Sequence, residues 1–237
     1  MKQVSLALLM LSLTTVSAFA QKQQSDREFQ GFKGAVKSVS IERAKLTKSG
    51  DTTVEAARLP YKMHTFDTDG NLVLDKAYDH RGEEFDLRTY SYVDGERVVK
   101  HDVLSKNVIV GTSKKPGPDE RRYSAKIKYK YDSQGRRIEK AWLHPDGRPA
   151  LRYVYKLEGN RKEVSVYRDD NSFSHGYVDT VDDKGNEVES TDVLSNRPSG
   201  VKTKYTYLEF DSQGNWTRRT ESRGDSSWMT YRAITYN

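Results

Sequence analysis

Tyr129-Lys130-Tyr131-Asp132-Ser133-Gln134-Gly135 decides the fold class. Its first three residues alternate ring, charge, ring, the period of a strand with one face to protein and the other to water. Its last four signal a reversal. Asp accepts a hydrogen bond from the backbone two residues on, and Gly takes the left-handed conformation that a Cβ resists. Upstream the alternation extends to Ile127, with Lys126, Lys128 and Lys130 on the opposite face. Downstream, Leu151, Tyr153, Tyr155 and Leu157 repeat it, as do Val164 and Val166.

The turn signal recurs along the chain. Gly70, Gly82 and Gly95, then Gly135, Gly147 and Gly159, follow one another at about 12 residues, one strand plus one tight turn. Gly185 and Gly214 continue the series at wider spacing. Asn171 stands where a glycine is missing between Gly159 and Gly185, and Asn also tolerates a positive φ. These features predict an all-β chain of repeated antiparallel hairpins, a β-meander forming a twisted open sheet or a solenoid-like sheet. A longer match overlies the short one. Gly95 to Ser105 aligns with Gly185 to Ser195, each containing Asp-Val-Leu-Ser, and each leads to a Tyr-rich strand ending in Asp-Ser-Gln-Gly. The expected domain therefore spans 34–237 in two related halves, about 34–125 and 126–237. Lys106 to Arg122, with Gly111, Pro116, Gly117 and Pro118, is surplus in the first half and reads as a surface excursion.

Tyr131-Asp132-Ser133-Gln134-Gly135, Tyr78-Asp79-His80-Arg81-Gly82 and Phe210-Asp211-Ser212-Gln213-Gly214-Asn215 resemble the YD repeat of the Rhs-type family. Gly34-Ala35-Val36-Lys37-Ser38-Val39 is likewise similar to the first strand of small exported members. The resemblance covers roughly 34–220. It implies a hairpin-built architecture and no particular activity.

Residues 1–20 read as a secretory signal peptide: Lys2, an apolar run from Leu6 to Val16, then Ala18-Phe19-Ala20 ahead of a polar segment at 21–33. Cleavage is expected after Ala20, with periplasmic or secreted protein as the product. The apolar run is too short to cross a ~30 Å hydrocarbon core, and no later segment attempts it, so no membrane span is expected. The chain has no Cys, so disulfides contribute nothing. Aromatic residues reach 11% with 15 Tyr, which excludes a disordered tail. The net charge of +6 is spread among interleaved acids and bases, the pattern of a solvated surface. An exported chain without a basic groove excludes nucleic acid as partner.

Chemistry is sparse. Gly-x-Ser-x-Gly, phosphate loops and His-Glu-x-x-His are absent, and the five His are scattered and read as surface residues. Asp67-x-Asp69-Gly70 hints at a calcium loop, but its twelfth position is Tyr78 rather than Glu. No catalytic set, metal or cofactor is expected. The candidate binding residues are aromatic: Trp142, Tyr167 and Trp228, whose rings suit sugars or protein surfaces. The expected function is a non-catalytic binding or structural module of the cell envelope, its sheet face turned to a protein or glycan. The alternatives are an envelope hydrolase with Asp and His on hairpin turns, and an inhibitor or immunity-like partner of a toxin.

Overall fold

The structure, a computed structural model, describes residues 22–93, 96–103, 122–194 and 197–237. The signal segment at 1–20 lies outside these residues, and so does the excursion expected at 106–122 except for its last residue. A one-turn helix α1 (Asp26–Phe29) precedes fifteen strands. The first eight are β1 (Val36–Ser49), β2 (Thr52–Glu55), β3 (Leu59–Phe66), β4 (Leu72–Tyr78), β5 (Glu84–Val93), β6 (Glu96–Val103), β7 (Arg122–Tyr131) and β8 (Arg137–Leu143). The rest are β9 (Pro149–Glu158), β10 (Arg161–Arg168), β11 (Phe173–Val181), β12 (Glu187–Leu194), β13 (Arg197–Phe210), β14 (Trp216–Arg223) and β15 (Ser226–Tyr236).

From β3 onward each strand pairs antiparallel with the next. β1 takes β3 along its first half and the short β2 along its second. Its other edge pairs with β15, from Val36↔Tyr236 to Leu46↔Ser227, and so closes a 14-strand barrel. The expected open or solenoid-like meander is therefore wrong in its ends. Hairpin twist accumulates strand by strand, and joining the two edges removes the unpaired N–H and C=O rows that an open sheet would expose.

The hairpins themselves follow the turn chemistry. Gly135 and Gly214 hold φ of 72° and 80°, and Asn171 sits at 61°. Asp132 accepts from the N–H groups of Gln134 (2.9 Å) and Arg136 (2.9 Å), and Asp211 does the same for Gln213 (3.0 Å) and Asn215 (2.8 Å). Both oxygens of Asp67 serve Asn71, at 2.8 and 3.1 Å, so this acid is a turn former. Among the described residues no group of three His, Asp or Glu is placed to hold a metal.

Closure gives the alternation its meaning. On β7, Ile127 is buried and Tyr129 partly buried on the inner wall, while Lys126, Lys128 and Lys130 are exposed outside. Glu42, Lys100 and Lys204 are exposed on other strands. On a lipid-facing wall each lysine would cost about 2–4 kcal/mol near a bilayer midplane and a glutamate less, so the outer wall suits water. No helix among the described residues is long and apolar enough to cross a membrane. The hydrophobic core lies off-centre, against β1 and β3 to β8, where Val39, Phe66, Tyr90, Val99, Ile127 and Trp142 meet Phe32 from the N-terminal segment.

Candidate functional site

The polar segment before β1 folds into the barrel mouth as a plug. Ser25 caps α1 by accepting from the Glu28 N–H at 3.3 Å, and the Glu28 carboxylate accepts from the Ser25 N–H at 2.8 Å. This reciprocal Ser-x-x-Glu pairing satisfies two helix-end donors and starts the helix despite its length. The plug then hangs from three hairpin tips. Arg27 N–H donates to Gly70 O and Gln24 N–H to Gly135 O, both at 2.9 Å. Asn215 accepts from the Lys33 N–H at 2.8 Å and donates to the Lys33 carbonyl at 2.9 Å. The approach at Gly70 is close: a Cβ there would stand 2.9 Å from Ser25 Oγ.

Asp26 is the anchor. It is 5% exposed and lies 2.5 Å from Arg97 and 2.8 Å from Arg137, while accepting from the Leu72 N–H at 2.8 Å. Burial alone would raise its pKa, but the two guanidinium groups and the backbone donor outweigh that and hold it below the ordinary carboxylate value. Arg137 in turn lies over Tyr129 at 4.0 Å and Phe29 at 4.7 Å. A single acid of the plug thus gathers two inner-wall arginines and the rings stacked on them.

Beside the plug opens a cavity of about 780 Å³, bounded by Phe29, Arg137, Tyr155, Leu157, Tyr177 and Glu187. Its size lies within the range of small-molecule sites, and its lining mixes rings with hydrogen-bonding charges. Lys162 holds its floor, with Nζ 3.9 Å from Asp179 and 3.6 Å from Glu187. Burial, then the charge of Glu187, pushes the Asp179 carboxyl up to about 6. The native state therefore keeps a proton between about pH 4 and 6 that the unfolded chain has lost, and the contribution of Asp179 to stability falls as pH rises through that window. Asp179→Asn should accordingly raise the melting temperature at pH 7 by a few degrees and change it little at pH 4. An equal change at both values in thermal melts would contradict the assignment.

His64 reaches the same cavity from the opposite wall, its Nδ1 3.2 Å from Asp75. His101 is also inside, 6% exposed, with Nε2 2.9 Å from Asp86. Both were expected at the surface, and the correction has a physical cause. His64 falls directly opposite Asp75 and His101 one same-face pair along from Asp86, both on the inner wall, where a carboxylate offsets the loss of water.

The three aromatic candidates do not converge. Trp142 is 6% exposed on the inner wall, edge-on to His101 at 6.1 Å, so it packs in the core and is not an exposed contact surface. Tyr167 is half-buried beside Phe173 (6.0 Å) and under Arg152 (4.8 Å). Trp228 is half-buried near Arg43 at 4.8 Å. None of them bounds the 780 Å³ cavity. Tyr155, Tyr177 and Lys162 do, and their sequence signal was the inward phase of β9, β10 and β11. The Ser25-Asp26-Arg27-Glu28 capping signature marked the plug.

No protein-family profile and no curated protein matches the chain. Among solved structures, it is similar to a porin-like protein from Bacteroides uniformis ATCC 8492. That similarity has 11% identity and a TM-score of 0.47, and covers 86% of this chain and 99% of the other. An outer membrane lipoprotein-sorting protein domain from Vibrio parahaemolyticus is similar over 85% of this chain and 86% of its own, with 10% identity and a TM-score of 0.26.

Proposed function

We propose that this protein is a non-catalytic binding module of the bacterial cell envelope, exported by its N-terminal segment and holding a small polar ligand, such as a glycan fragment, in the barrel mouth. The observation that carries this is the 780 Å³ cavity beside the plug, where Tyr155 and Tyr177 line the wall together with Lys162, Glu187 and Arg137. Sugars are held by that combination, an apolar platform with charged donors and acceptors around it. The outer wall, rich in lysine and glutamate, suits an aqueous compartment.

Native mass spectrometry of protein purified from periplasm under mild conditions should show a bound mass of a few hundred daltons. Leu157 lines the cavity and is 54% exposed, so Leu157→Trp fills the mouth without touching the core. That variant should lose the bound mass and melt like wild type. Wild-type protein carrying no adduct, or an adduct that Leu157→Trp leaves in place, would remove the proposal.

One observation favours an envelope hydrolase instead: an imidazole oriented by Asp75 and facing the cavity is what a general base needs. The same spectra separate the two. A hydrolase retains product, so His64→Gln would carry a heavier adduct than wild type; a binding module gives the same mass in both.

A further inference from the structure

Next to the main cavity, and sharing Gln30, Gly31, Gly185 and Glu187 with it, lies a recess of about 80 Å³. A water needs roughly 10–15 Å³ of such volume, so the recess has room for a few waters or one small group. Trp216, Arg219 and Arg232 line it and belong to a ladder of alternating rings and guanidinium groups. Arg232 lies 4.9 Å from the Phe32 ring and 3.4 Å from that of Trp216. Arg219 lies 4.3 Å from Trp216 and 4.2 Å from Tyr205.

A guanidinium stacked on its faces bonds through its edge, where its N–H groups form a planar fork suited to an oxyanion. The edge of Arg219 is occupied: Nε and Nη2 donate to Glu221 at 3.1 and 2.8 Å, and Nη1 donates to the Tyr207 hydroxyl at 3.3 Å. Glu221 also pairs with Arg43. Arg232 has no hydrogen-bond or ion-pair partner among the described residues, and its Nε is buried. Glu221 is therefore taken up by Arg43 and Arg219, and Arg232 is left without a paired acid. Glu187, the acid that lines the recess, is 3.6 Å from Lys162. Burial first, then the nearby Arg219, lowers the Arg232 pKa to about 9, which leaves it charged at neutral pH. Arg232 is half-buried and its Nε lies out of reach of solvent without a partner, which costs free energy that a complementary anion would offset.

We infer that this recess is an anion subsite, in which the unpaired guanidinium of Arg232 receives a carboxylate or phosphate group. It deepens the proposed function, since an acidic group on a cavity ligand would reach it past Glu187. The site also stands alone toward a small free anion, so its test is independent of the cavity adduct.

Thermal melts of the mature protein in sodium phosphate, sodium glucuronate and sodium chloride at equal ionic strength give the test. The wild type should melt about 5 °C higher at an anion concentration some twentyfold above its dissociation constant, with a saturable dependence. Whichever of phosphate or glucuronate gives the lower midpoint identifies the group. Arg232→Met should melt at or above wild type in chloride and lose the response to both anions. Arg232→Lys keeps the charge but not the fork, and its midpoint should rise at least tenfold; it carries the test should Arg232→Met misfold. Equal melting in all three salts, or an undiminished response in the variant that folds, overturns the inference. Since neither outcome depends on Leu157→Trp, failure here leaves the cavity proposal standing, and failure there leaves this one.

Discussion

Asp26→Ala should cost about 3–5 kcal/mol, the price of leaving a buried charge cluster without its counter-ion. In a chain this size that is a fall of about 10 °C in melting temperature. The reason is arithmetic at one point. Arg97 and Arg137 are 6% and 7% exposed, and Asp26 is the acid within 2.8 Å of both. Its removal also orphans the Leu72 N–H and releases the plug from the inner wall. Urea melts of Asp26→Ala, Arg97→Met and the double variant separate these effects, because the double variant removes one unpaired cation and should recover part of the loss. The contribution of Asp26 is present above the unfolded carboxyl value of 3.8 and disappears as pH falls toward its lowered native value, so wild type and variant should converge in acid. A variant within 1 kcal/mol of wild type at neutral pH would mean that the plug is not held by this cluster.

A disulfide between Ser40→Cys and Ala233→Cys should form without reshuffling and raise stability by as much as about 5 kcal/mol in the chain-entropy view. These residues face each other across the β1–β15 seam, and both are exposed on the outer wall. Directly opposed residues in antiparallel strands have Cα atoms about 4.5–5.5 Å apart, within the reach of a disulfide. The native chain has no Cys, so the cross-link has no competitor. In an open meander the first and last strands would lie at opposite edges and both thiols would stay free. Thiol titration of the oxidised protein decides between the two architectures, and the urea midpoint measures the gain.

The local half of the fold was legible in the sequence. Asp132 and Gly135 make the turn that their spacing demands, and Asn171 takes the positive φ of the missing glycine. Ile127 faces inward and Lys128 outward, as alternation requires. Closure was not legible, because the pairing of Ser40 with Ala233 joins the two ends of the domain and alternation within a strand has no memory of a distant partner. The site was hidden for a related reason. Arg97, Arg137 and Asp26 look like ordinary surface charges until a closed wall turns them inward, and each is then tolerable only beside the others. Trp142 misled in the opposite direction: a large ring on a hairpin suggests a contact surface, and here it fills the lumen.

The seam also governs the order of events as the chain emerges. β1 is the first strand to be synthesised and β15 is the last of the described strands, yet each supplies the other's edge. The plug waits as well, because Asn215, which holds Lys33, arrives near the end of the chain. Folding cannot proceed piece by piece behind the advancing chain; the decisive contacts form only after release, and contacts so far apart in sequence form slowly. Until then the early hairpins carry a bare edge, the state in which strands find the wrong partner. Maturation of this barrel is therefore timed by its last dozen residues, and a chain stalled short of them is a substrate for chaperones and proteases.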